Sequence, residues 1–85
     1  MKINFYISGS RVATVTNSMA PTIGSEVTII TDSYKKGMWP GTILNFRVSE
    51  DFPPHFDYTS DEVMIDVADW NVFKEGPVPE GERGG

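Results

Sequence analysis

Apolar and polar residues alternate in several short runs separated by turn-forming residues, and each run predicts a β-strand. The clearest pair lies in residues 24–48, GSEVTIITDSYKKGMWPGTILNFRV. Here Val27, Ile29 and Thr31 alternate with Thr28 and Ile30, while Thr42, Leu44, Phe46 and Val48 alternate with Ile43, Asn45 and Arg47. A period of two in β-branched and aromatic residues is the signature of a half-buried strand. The polar segment from Asp32 to Gly37 links the two, and Pro40 with Gly41 marks the bend where the second begins. This pair is expected to be the centre of a small, strongly bent sheet.

Residues 2–17 predict a hairpin. Ile3, Phe5 and Ile7 alternate with polar or amphipathic residues, Gly9-Ser10 suits a two-residue type II′ turn, and residues 11–16 return. That turn sets Ile7 opposite Val12, Phe5 opposite Thr14 and Ile3 opposite Thr16. Residues 17–24 form a connection in which Met19 or Ile23 is available to plug an end of the core. Val63, Ile65 and Val67 define a further strand, and residues 69–73 a tight turn and short last strand returning Trp70 or Phe73 to the core. The expected core is Ile3, Phe5, Ile7, Val27, Ile29, Leu44, Phe46, Val63, Ile65 and Val67. No stretch has helical periodicity.

These elements predict one all-β domain over residues 1–75, an open barrel of five or six antiparallel strands. Residues 76–85, GPVPEGERGG, offer little to bury and predict a disordered tail. At 85 residues the chain buries a smaller share of its surface than a larger domain does, and self-association is one way to add buried area.

Composition narrows the function classes. The net charge of −5 argues against sequence-independent nucleic-acid binding, which needs basic side chains to neutralise phosphates, and suits a partner with a basic surface. With no cysteine there is neither disulfide nor thiolate site, a usage compatible with a reducing cytoplasm, which is the expected location. No apolar run is long enough to span a bilayer as a helix, and the first ten residues have no continuous apolar segment of a secretory signal.

The order of motifs within residues 24–70 is Gly-x-x-Val-x-Ile, a polar loop, Trp-Pro-Gly-Thr-Ile, a variable loop, Val-x-Ile-Asp-Val and Asp-Trp. It resembles the run of strands in SH3-like and Tudor-type barrels, a likeness that bears on fold alone. The whole chain also resembles small acidic proteins encoded by phages and mobile elements. That second resemblance implies inhibition of a host defence factor, in the host cytoplasm.

Residues 49–61, SEDFPPHFDYTSD, are the strongest candidate contact surface. Phe52, Phe56 and Tyr58 supply anchoring area, Pro53 and Pro54 lower the ordering cost, and Glu50, Asp51, Asp57 and Asp61 complement a basic partner. The alternative is that the aromatics fold back as a lid over an open barrel end. Tyr34 and Trp39, with Phe52, Phe56 or Tyr58, suggest an aromatic cage for a methylated cation with Asp57 alongside, against the plainer reading of Trp39 as core. Tyr34 and Trp39 with Lys35, Lys36 and Arg47 suggest a base-stacking, phosphate-meeting slot at a subunit boundary, although no phosphate-cradling motif is present. His55 and Asp57 lack further transition-metal ligands, and Asp57, Asp61 and Glu62 lack the spacing of a calcium loop. His55 is the only imidazole base and has no recognisable nucleophile near it in sequence.

The expectation is therefore a non-enzymatic protein-binding module without metal or cofactor. The alternatives are a nucleotide-sequestering homo-oligomer and a structural module stacking edge to edge through exposed strands.

Overall fold

The computed structural model describes residues 1–82. They contain seven strands: β1 (Lys2–Ile7), β2 (Ser10–Thr16), β3 (Glu26–Ile30), β4 (Ile43–Arg47), β5 (His55–Asp57), β6 (Glu62–Asp66) and β7 (Asn71–Lys74), followed by a 3₁₀ turn at Glu80–Glu82. They form two sheets and no closed barrel: one in the order β2-β1-β6-β5, the other β3-β4-β7. The expected five or six antiparallel strands thus become seven, and one pair is parallel. β1 and β6 run side by side in the same direction, with Ile3 beside Val63 and Phe5 beside Ile65. A parallel pair needs a long crossover, and here the chain builds β3 and β4 of the second sheet between its two members.

The alternation seen in the sequence directs the core. Ile3, Phe5, Ile7, Ile29, Leu44, Phe46, Val63, Ile65 and Val67 are all buried, and Val27 packs partly buried against them. Phe5 from one sheet meets Phe46 from the other edge-to-face, their ring centres 5.9 Å apart and planes at 78°. Val12, Ala13 and Val48 complete the core. Met19 and Ile23 do not plug it; Met19 is 77% exposed.

The hairpin turn differs from the expected one. Ser8 and Gly9 both take positive φ, 48° and 81°, the pattern of a type I′ turn, so the loop sits one residue earlier than Gly9-Ser10. Ile7 therefore pairs with Ser10, and Phe5 with Ala13. The register slips between Phe5 and Tyr6, leaving Val12 as the extra residue of a bulge. That bulge buries two consecutive residues, Val12 and Ala13, and frees the Val12 carbonyl to accept the Asp32 N–H at 2.8 Å, which ties the two sheets.

The same junction carries the fork from Arg11, whose two guanidinium nitrogens donate to the Asp32 carboxylate at 2.9 Å each. This hydrogen bond, aided by one from Ser33, holds the Asp32 carboxyl below the usual carboxylate range. Because its folded value is depressed, Asp32 contributes stability above its unfolded value of about pH 4, and that contribution is lost as pH falls through the folded value. The pair is half-exposed and screened, so the effect is small. Chemical denaturation at stepped pH should show Asp32→Asn less stable than the wild type at neutrality, with the gap closing below about pH 4. A gap independent of pH would separate Asp32 from the acid limb.

A further brace involves Thr42, which is buried. Its hydroxyl donates to the Trp39 carbonyl at 2.6 Å and accepts the Gly76 N–H at 3.0 Å. Gly76 is itself buried in this corner, so the packed chain runs past the expected boundary at residue 75. Residues 83–85, part of the expected disordered tail, lie outside the described residues. Trp70 packs partly buried against the core as expected, but Phe73 is 79% exposed. The β4–β7 register skips it, pairing Leu44 with Val72 and Ile43 with Lys74, so Phe73 has no opposite number on β4. Among the described residues no helix is long and apolar enough to cross a membrane.

Candidate binding surface

β4 fixes where the candidate residues lie. The loop carrying Tyr34 and Trp39 enters β4 at Ile43, and the loop carrying Phe52 leaves it after Arg47. A five-residue strand spans about 17 Å, so Tyr34 and Trp39 lie near one end of the second sheet and Phe52 near the other, while Phe56 and Tyr58 sit on β5 and the turn after it, at the edge of the first sheet. Tyr34 and Trp39 pack on each other with centres 4.5 Å apart at 53°, and Phe56 stacks on Tyr58 at 6.1 Å and 19°. Among the described residues no ring contact joins one set to the other. The structure therefore does not assemble the cage expected from Tyr34, Trp39 and the 49–61 aromatics.

The nucleotide slot is divided in the same way. Lys35 and Lys36 belong to a tight turn in which Lys35 and Met38 exchange two backbone hydrogen bonds, with Lys36 and Gly37 at positive φ. The Lys35 ammonium donates to the Ser10 hydroxyl at 2.9 Å. Arg47, at the far end of β4, donates to Glu26 at 2.8 Å and to the Gly24 carbonyl at 3.2 Å. Lys35 is thus engaged with Ser10, and Arg47 lies at the other end of β4 from Tyr34 and Trp39.

Residues 49–61 make a defined surface rather than a lid. The Ser49 hydroxyl and carbonyl accept the N–H groups of Asp51 and Phe52, closing a turn after β4. Pro53 and Pro54 then carry the chain to β5, an edge strand held by His55–Met64, Phe56–Val63 and Asp57–Glu62 pairings. Phe52 and Phe56 are half-exposed and Tyr58 is 83% exposed, so none of the three closes over the core. Phe56 also lines a groove of about 440 Å³ with Pro21, Thr22, Ile23, Pro53 and Pro54, an almost wholly apolar set. The connection that fails to plug the core instead forms the far wall of this groove.

The acids divide into two kinds. Asp57 accepts from the Thr59 hydroxyl and, at 3.0 Å, from its N–H, and these bonds hold its carboxyl below the usual range. It is largely committed to its own turn. Glu50, Asp51, Asp66 and Asp69, in contrast, are exposed, and their carboxylates have no hydrogen-bond or ion-pair partner among the described residues. Asp66 and Asp69, with Trp70, are functional candidates that sequence reasoning passed over. The signal for them is Asp69-Trp70 directly after a strand, but it gains meaning only once β6 lies parallel to β1. Parallel strands end on the same side, which sets residues 66–70 beside the Ser8 and Gly9 turn and Phe52.

Among the described residues no three His, Asp or Glu side chains form a group able to hold a metal ion. The chain matches no protein-family model, no curated protein and no solved structure.

Proposed function

We propose that the protein is a non-enzymatic binding module that docks another protein through the face formed by Phe52, Phe56 and Tyr58, the proline-walled groove and the unpaired carboxylates beside them. One observation carries this reading: the loop richest in aromatics turns them outward, next to an apolar groove and to acids without partners. Large rings on a proline-stiffened segment give contact area at low ordering cost, and the surrounding acids select a basic partner. Such a module acts by occlusion. Inhibition of the partner, the role implied by the likeness to small phage-encoded proteins, is the action proposed.

The triple variant Phe52→Ala, Phe56→Ala, Tyr58→Ala should keep the wild-type melting temperature within a few degrees, because these rings lie outside the core. Affinity capture followed by titration with the captured partner should show binding reduced by a factor of about a hundred or more, as expected when two or three hot-spot rings are truncated. Full affinity in the triple variant would rule this surface out.

A further inference from the structure

At the end of the sheets where β1, β4 and β6 all finish, a cleft of about 480 Å³ opens between Phe52 and Trp70. The Ser8 and Gly9 turn closes one side of it, and Asp66 and Asp69 contribute to its lining. A second hollow of about 380 Å³ lies across Asp69, with Glu50 in its wall. Phe52 and Trp70 make no ring contact with one another among the described residues, so the space between them is not filled by their own stacking. Trp70 is fixed by packing against the core, while Phe52 rides on the exposed turn after Ser49.

We infer that this cleft receives an arginine side chain of the partner protein, its guanidinium lying against Phe52 and Trp70 and donating to Asp66 and Asp69. The inference rests on the docking role proposed above and specifies the chemistry it selects. A guanidinium is the group that satisfies both features together, since its plane stacks on aromatic faces and its fork matches carboxylates. An anionic group would meet two unneutralised carboxylates, and a purely apolar one would strip water from them without replacing its hydrogen bonds. The cleft lining contains no lysine or arginine of this chain. Among the described residues both arginines, Arg11 and Arg47, are engaged with Asp32 and Glu26, and a second copy carrying the same net charge of −5 is electrostatically disfavoured as the occupant.

The test is an NMR titration of the full chain with the blocked peptide acetyl-Gly-Arg-Gly-amide, alongside its citrulline counterpart, which keeps the shape and removes the charge. Saturable shifts are expected at the Trp70 indole and at residues 8–9, 52 and 66–70, with citrulline binding about tenfold weaker or less. The double variant Asp66→Asn, Asp69→Asn should abolish the response. Asn is isosteric with Asp and tolerates the left-handed conformation of Asp69, φ 50°, so the fold is retained. Equal shifts with citrulline, shifts unchanged in the double variant, or shifts spread evenly to remote acids such as Glu75 and Glu80 would each overturn the assignment. If the peptide fails while partner binding still depends on Phe56 and Tyr58, the arginine cleft is wrong and the docking surface stands. If partner binding ignores Phe56 and Tyr58, the docking surface itself is wrong.

Discussion

Phe46→Asp should abolish cooperative folding. Phe46 is 2% exposed at the middle of β4, pairs with Val27 on β3, and meets Phe5 edge-on as the main aromatic contact between the sheets. Truncation to alanine alone costs about 3–5 kcal/mol through lost transfer energy and the cavity left behind. A domain of this length has a total stability of about 4–13 kcal/mol. Aspartate adds an unpaired carboxylate in an apolar layer, which must remain desolvated or drag in water. Circular dichroism should show no melting transition for Phe46→Asp and a much lowered one for Phe46→Ala. A cooperative melt of Phe46→Asp within a few degrees of the wild type would mean that β4 presents its other face to the core.

Gly76→Ala should displace the segment after β7, although the sequence there reads as tail. A methyl group at Gly76 would stand 2.5 Å from the Pro40 carbonyl oxygen, 2.7 Å from the Trp39 carbonyl oxygen and 2.7 Å from the Thr42 nitrogen. All three are backbone atoms of the segment that Thr31 and Thr42 brace through the Trp39 carbonyl, so they cannot yield as a flexible side chain would. Such overpacking costs about 1–3 kcal/mol, and release of the segment from the Thr42 hydroxyl caps the loss. Hydrogen exchange should show the amide at position 76 becoming fast, together with a lowered melting temperature. Unchanged exchange and stability would place Gly76 outside the Thr42 corner.

What could be read from the chain was set by local physics. The alternations in residues 24–48 and 63–67 specify strands and inward faces because one residue of slip would turn every apolar side chain outward. What could not be read depended on register irregularities and distant pairing. The bulge at Val12 hides in an ordinary run, since Arg-Val-Ala-Thr carries no mark that two neighbours face the same layer. The parallel β1–β6 pairing joins strands at opposite ends of the chain and leaves no local signature. Gly76 looks like linker composition, and only the approach of Trp39 and Pro40 makes it a packing residue.

The candidate site follows the same division. Residues 49–61 stood out by composition, and their rings are exposed. Their union with Tyr34 and Trp39 was open to challenge from topology alone, because loops flanking one strand leave from its two ends. Trp70, Asp66 and Asp69 became candidates only through the parallel pair that brings them beside Phe52.

The central claim is that the outward surface running from residues 66–70 and Phe52 along β5 to Tyr58 is the docking face. Amide hydrogen exchange of the protein, free and bound to its captured partner, tests this most directly. Protection on binding is predicted at residues 52–58 and 66–70, with residues 34–39 unchanged. Protection confined to residues 34–39, or to the outer face of β3, β4 and β7, would contradict the account.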